Sequence, residues 1–328
     1  MRAQLDARSG GRFLPTYYEW RDLGLAERVA RRFGRRPTPR LVIEPGADVA
    51  PVSALWLAGA AAPDAAEFAA LLDRLPKLAW IYSQRTGVDH LPLDLLRARG
   101  VAVSNTAGLT SAWVAEMNLA CVLAHAKRLP ELERLQRRHA PRALILRPLG
   151  GLTVLILGTG AIGTHTAELC AGVGMRTIGA SRRPERLAGA AHPFGAVVSL
   201  EEALQSAIAT ADALVLALPL APETAGLISG AVLARMRPGA ALVNLARPRI
   251  VDEPALVRGL RAGTPAAAWV SRLETSGILA RRRAAALPGL HLTHTAEANV
   301  PGRLDRALAQ FLALERRERE GVVENRVV

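Results

Sequence analysis

Ten residues near the middle of the chain have the makings of a diphosphate site. Val154-Leu155-Ile156-Leu157 is an uncharged aliphatic run, and it leads into Gly158-Thr159-Gly160-Ala161-Ile162-Gly163, a G-x-G-x-x-G pattern that opens a helical stretch from Thr164 to Val173. In a strand, turn and helix of this order each glycine has a physical task. Gly158 makes the tight turn, Gly160 lets backbone approach a diphosphate, and Gly163 lets the helix pack on the strand. Unpaired N–H groups and the positive end of the helix dipole then face the phosphates, with Thr159, Ala161 and Ile162 completing the loop. The pattern predicts a bound dinucleotide.

The type of dinucleotide is decided at the end of the next strand, where an acidic side chain would bond the adenosine ribose hydroxyls of NAD. Here Met175-Arg176-Thr177-Ile178-Gly179-Ala180 ends in Ser181-Arg182-Arg183. No carboxylate stands there to repel a 2′-phosphate, and two guanidiniums follow that suit one. NADP is therefore expected in preference to NAD.

These residues need a framework, and the rest of the chain supplies one. Its 328 residues are half hydrophobic, enough for two cores. Short aliphatic runs alternate with helical stretches: Leu41 to Ile43, Leu55 to Leu57, Leu78 to Tyr82 and Val101 to Ser104 first, then Thr153 to Leu157, Arg176 to Ala180, Ala196 to Ser199, Ala213 to Leu218, Ala240 to Leu245 and Ala266 to Val270. Such runs read as buried parallel strands of a wound α/β protein. A long helix is expected from Ser111 to about Arg138, kinked or broken at Pro130. Arg303 to Arg319 reads as a terminal amphipathic helix that returns to the first domain.

Composition narrows the partners. The formal charge is +13, but only Lys77 and Lys127 are lysines, and the arginines are scattered with few aromatics between them, which argues against a nucleic-acid surface. No apolar stretch is long enough to span a bilayer and the N-terminus lacks a signal-peptide core, so a cytoplasmic protein without membrane contact is expected. Cys121 and Cys170 read as buried free thiols, and no metal site is expected because neither has a ligand-type neighbour at suitable spacing.

Beyond these local signals, an ordered series runs from about Leu78 to Ala298: Thr86-Gly87-Val88-Asp89-His90, Asn105-Thr106-Ala107-Gly108, Val114-Ala115-Glu116, the glycine loop, Ala217-Leu218-Pro219-Leu220 with Glu223-Thr224, Met236-Arg237-Pro238-Gly239, and Val243-Asn244-Leu245-Ala246-Arg247. In this series the chain resembles the D-2-hydroxyacid dehydrogenases. The resemblance implies two doubly wound parallel-sheet, Rossmann-like domains. The substrate domain is discontinuous, residues 1–108 plus 290–328, and the dinucleotide domain is 109–289. It also implies an active cleft between them, a homodimer built around the segment after Ala112, and a small 2-keto or 2-hydroxy acid as substrate. By position, Arg247 corresponds to the arginine that binds the substrate's carboxylate and carbonyl, and His294 to the histidine that exchanges the proton. Backbone around Arg85, Thr86 and Gly87 would hold the carboxylate. Leu218, Pro219, Thr224, Ala246 and Ser271 would join the glycine loop and Ser181 to Arg183 around the cofactor.

The resemblance fails at two carboxylates. Ser271 stands where the family has an aspartate, and Ser276 where it has the catalytic glutamate; Glu274 is the nearest replacement, with Glu297 beside His294 as another. A histidine without a carboxylate neighbour keeps a pKa of about 6.5 or below. Reduction of a keto acid, which needs the proton on His294, would then favour mildly acidic pH. Pro248, where the family has glycine, should hold Arg247 extended. Two readings follow: a dehydrogenase acting on a 2-keto or 2-hydroxy acid, or a protein that keeps the dinucleotide and has changed or lost the chemistry.

Overall fold

The computed structural model describes residues 16–18, 40–42, 52, 54–57, 65–83, 86–88, 91–140, 142–274, 286–293, 306–307 and 309–310. The chain divides into two compact units, Met1–Leu109 with Val300–Val328, and Thr110–Asn299.

In the first unit β1 (Thr16–Tyr18) pairs in parallel with β2 (Arg40–Val42). A separate parallel sheet has the order β3 (Ala54–Leu57), β4 (Trp80–Ser83), β5 (Ala102–Asn105), with α1 (Ala65–Asp73) and α2 (Leu93–Ala98) in the crossovers. Leu55, Ile81 and Val103 are in register across the three strands, all 0% exposed, and pack with Phe68, Leu71 and Leu72 of α1 and Leu96 of α2. The C-terminal segment joins this unit. The Tyr82 hydroxyl lies 3.1 Å from the Ala307 carbonyl and 3.0 Å from Gln310 Oε1, and Gln310 Nε2 donates to the Ala107 carbonyl. Helical residues at 306, 307, 309 and 310 agree with the expected terminal helix; the rest of it lies outside the described residues.

The second unit opens with α3 (Ser111–Ala126) and α4 (Leu129–Arg137). The expected long helix is broken at Arg128, which takes φ 51°, so that Pro130 sits in the first turn of α4, where its missing N–H has no helical acceptor to lose. A seven-stranded parallel sheet follows: β6 (Thr153–Leu157), β7 (Arg176–Ser181), β8 (Ala196–Ser199), β9 (Ala213–Leu216), β10 (Ala241–Asn244), β11 (Ala267–Val270) and β12 (Leu290–Leu292), in the spatial order β12-β11-β10-β9-β6-β7-β8. The helices between them include α5 (Ala161–Gly172), α6 (Leu200–Gln205), α7 (Gly230–Ala234) and α8 (Glu253–Ala262).

Two cores cover the sheet's faces, and β6 shows how. Val154 and Ile156 point to the side packed by α3 and α5, while Leu155 and Leu157 point to the side packed by α6, α7 and α8. All four are 0% exposed, each contributing about 1.5–3 kcal/mol by burial. Period-two alternation with apolar residues on both faces is what a central parallel strand requires. At the amino-terminal edge a buried carboxylate ties the strands: Asp212 accepts from the Thr153 amide at 2.9 Å, from Arg147 at 2.5 Å and from Arg237.

One boundary differs from the sequence reading, which started the return to the first domain at residue 290. Leu290–Leu292 instead forms the edge strand β12 of the second unit, paired with β11. Leu290 fills the core beside Leu260 and Ala268, and that burial keeps the segment on this sheet.

Candidate functional site

All strands of the seven-stranded sheet run the same way, so their carboxyl ends share one edge. The chain passes β6, β7, β8 outward and then returns to place β9 on the other side of β6. Loops diverge at such a reversal of strand order, which leaves a crevice for a ligand between β6 and β9.

The glycine loop sits at that point. Gly158 takes φ 109°, and a Cβ on it would meet the Ala217 carbonyl oxygen at 2.4 Å; one on Gly163 would meet the Gly158 carbonyl oxygen at 1.9 Å. Both glycines are therefore demanded by the loop's own packing. Gly160 is different. It has φ −78°, which any residue adopts, and a Cβ there meets nothing within 4 Å. Gly160 precedes α5 with no side-chain cap, so no side chain takes up the first amides of the helix. Thr164 N bonds the Gly160 carbonyl, and Thr164 Oγ1 the Thr159 carbonyl, closing the turn from behind. Thr159 and Ile162 are half-buried and Ala161 is exposed. An open cradle backed by unpaired amides fits a diphosphate.

Ser181 ends β7, and its hydroxyl accepts from the Arg183 amide at 3.1 Å, turning the chain so that Arg182 and Arg183 are exposed. Beyond β9, Leu218 is half-buried and Pro219 exposed. Thr224 is 3% exposed, donates to the Pro219 carbonyl at 2.7 Å and accepts from the Ala221 amide at 2.8 Å. Its hydroxyl is thus engaged in shaping the Leu218-Pro219 loop.

At the end of β10 lies a residue that the reading of site residues missed. Asn244 is 2% exposed; its Nδ2 donates to the Arg247 carbonyl at 2.8 Å and its Oδ1 accepts from the Ala246 amide at 3.2 Å. Its place at the end of an aliphatic run, just before Pro248, is visible in the sequence, but the groups it holds are not. Asn244 holds Arg247 at φ −136° and ψ 130°, the extended geometry expected before Pro248. Arg247 is half-buried as a residue, and its Nη1 donates to the Ala246 carbonyl at 3.0 Å. The Ser271 amide donates to the Asn244 carbonyl, which puts Ser271 beside this turn. Glu274 is exposed, and its amide donates to the Glu253 carboxylate at 2.8 Å.

In the first unit an analogous amide works on the other predicted loop. Asn105 Nδ2 donates to the Thr86 carbonyl at 2.7 Å and its Oδ1 accepts from the Ala107 amide at 2.9 Å. Thr86 and Gly87 are half-buried. Arg85, His294, Ser276 and Glu297 lie outside the described residues. Among the described residues no group of histidines, cysteines and carboxylates is placed to hold a metal, and no helix is long and apolar enough to cross a membrane. Burial pushes the Cys121 and Cys170 thiols up to about 12, so both stay protonated near neutrality.

Comparison with known proteins follows the same residues. Residues 119–294 match the family described as D-isomer specific 2-hydroxyacid dehydrogenase, NAD binding domain. A glyoxylate reductase of Aeropyrum pernix is 35% identical over 214 residues, 62% of this chain and 62% of that protein. A D-lactate dehydrogenase of Staphylococcus epidermidis is 28% identical over 196 residues, 58% of this chain and 57% of that protein. The chain thus matches roughly three fifths of the length of these curated relatives. A crystal structure of a D-isomer specific 2-hydroxyacid dehydrogenase from Xanthobacter autotrophicus Py2, in complex with NADPH and MES, superposes with a TM-score of 0.79. It is 27% identical, with 96% of this chain and 98% of that one covered.

Proposed function

Since the chain belongs to the D-isomer specific 2-hydroxyacid dehydrogenases, we propose that it is an NAD(P)-dependent oxidoreductase that reduces a 2-keto acid to a D-2-hydroxy acid, or runs the reverse. The observation that carries this reading is one sheet edge holding two fittings: the open cradle at Gly160, backed by the bare start of α5, and a half-buried arginine at the end of β10.

A bound nicotinamide supplies or accepts a hydride at the carbon bearing the oxygen. The protein's part is the rest. Arg247 pairs with the substrate's carboxylate and polarises its carbonyl, the task for which a planar guanidinium fork is suited. His294 gives a proton to the carbonyl oxygen during reduction and takes it back in oxidation. Glu274 is the candidate carboxylate for that histidine, and the pH profile of the reaction decides whether it serves. Ser181, Arg182 and Arg183 receive the 2′-phosphate of NADP, and Leu218, Pro219, Thr224, Ala246 and Ser271 border the nicotinamide half. By the family resemblance, the Arg85-Thr86-Gly87 segment is assigned to binding the substrate's carboxylate. The working form is a homodimer, for which the exposed apolar residues Leu129, Leu132, Ile145 and Leu146 are the support.

Titration with NADPH and NADH, followed by a panel of 2-keto acids at about pH 5.5 and about pH 7.5, tests the reading. We expect tighter binding of NADPH and faster NADPH oxidation at the acidic pH. Tighter NADH binding would overturn the cofactor preference. A rate that stays flat well above neutral would mean that a carboxylate does support His294. The exposure of Glu274 favours a second reading, a nucleotide-binding protein with altered or lost chemistry. NADPH binding with uniform inactivity across the panel selects it.

A further inference from the structure

The seam between α3 and α5 is apolar but for one contact. Val114, Cys121 and Val122 line it on α3, and Ala167 and Cys170 on α5, all at most 2% exposed. In their midst stand Asn118 and Thr166, both 0% exposed. Asn118 Nδ2 donates to Thr166 Oγ1 at 3.1 Å, and that hydroxyl donates onward to the Ile162 carbonyl at 2.8 Å. Asn118 Oδ1 is buried with no hydrogen-bond partner. A primary amide with one end unsatisfied is an unfavourable occupant of a seam that leucine or alanine would fill, so packing does not account for it.

The chain of bonds ends where the glycine loop needs it. The Ile162 carbonyl and the Gly163 N–H belong to one planar peptide unit and point in opposite directions. Holding the carbonyl oxygen from below therefore aims the N–H toward the helix start. A hydroxyl that accepts one bond while donating another is polarised, which strengthens the second. Gly163 cannot settle elsewhere, because it packs on Gly158 too closely for a side chain.

We infer that Asn118, acting through Thr166, is a positioning residue for the diphosphate-binding turn: it fixes the Ile162-Gly163 peptide plane and so orients the amides at the start of α5 toward a dinucleotide. The inference rests on the reading of this turn as a dinucleotide site.

The test uses the full-length protein and NADPH as the probe, with binding and thermal unfolding measured on the wild type and on Thr166→Val, Thr166→Ser and Asn118→Leu. Loss of one bond in the relay should weaken NADPH binding about five- to tenfold. In keto-acid turnover the change should fall in the KM for NADPH rather than in kcat. Thr166→Ser keeps the hydroxyl and should bind as the wild type does. Asn118→Leu removes the unsatisfied oxygen, so its unfolding temperature should equal or exceed the wild type's while NADPH binding still falls. A merely structural asparagine could not produce that split. Unchanged NADPH affinity in Thr166→Val and Asn118→Leu, with the wild type binding, would overturn the inference alone. A wild type that binds neither nucleotide would overturn the functional reading, and the inference with it.

Discussion

Gly158, Gly160 and Gly163 share one pattern but answer to different forces. At Gly158 and Gly163 the clash is with the protein's own carbonyls, at 2.4 and 1.9 Å, so the sequence needs glycine there for folding. At Gly160 only open space lies within 4 Å, so the protein's own packing does not require glycine there. Gly160→Ala should therefore unfold within about 0.5 kcal/mol of the wild type and lose affinity for NADPH, whereas Gly163→Ala should be destabilised by several times that amount. Denaturation and nucleotide titration of both variants check this; equal loss of stability in the two would refute the division. The pattern was legible in the sequence because its meaning is local, carried by backbone freedom over six residues. Asn244 and Asn118 were not legible as site residues, because the groups they serve are named only once strand ends and helix faces have met.

At the level of elements, the last turn of α3 lies near the edge strand β12. His125 on α3 bonds the Gly239 carbonyl through Nε2 at 2.9 Å, and His291 on β12 stacks on Trp269 of β11 with ring centroids 4.0 Å apart. Burial holds His125 below its ordinary value, with Arg147 adding to the effect and the Gly239 bond and Asp212 opposing it. Burial, and then the His125 charge, do the same for His291. Both groups take up protons more readily in the unfolded chain, so their contribution to stability is present above about pH 6.5 and is lost as pH falls below it. Denaturant midpoints should decline between about pH 7.5 and about pH 5.5, and His291→Phe, which keeps an aromatic ring on Trp269, should decline less. An equal slope in the variant would show that other groups control acid stability. On the role proposed for His294, activity should rise toward acid while stability falls. The strands meeting here were legible as aliphatic runs, except β12. Its three residues, Leu290-His291-Leu292, are too short to show a period, and its membership comes from pairing with β11.

Across the whole molecule, four of the five exposed large apolar residues among the described residues fall between Leu129 and Leu146, the fifth being Val173 after α5. Leu129 and Leu132 lie on α4, and Ile145, 90% exposed, and Leu146 follow within the same unit. A chain of +13 net charge repels its copies, so self-association needs such an apolar face to overcome that repulsion. The wild type should sediment as a dimer and Ile145→Glu as a monomer; a wild type at single-chain mass would exclude the homodimer. What the sequence determined by itself is whatever depends on neighbours along the chain: the alternation of buried strands and helices, the helix break before Pro130, the glycine loop, the extended Arg247 before Pro248. Tertiary structure alone decided which strand lies beside which, and hence that the ends of β6, β7, β9 and β10 form one edge, that Asn118 reaches Thr166, and that β12 closes the second sheet. Pairing across a sheet joins residues far apart in sequence, and one sequence carries no record of which distant partner each will meet.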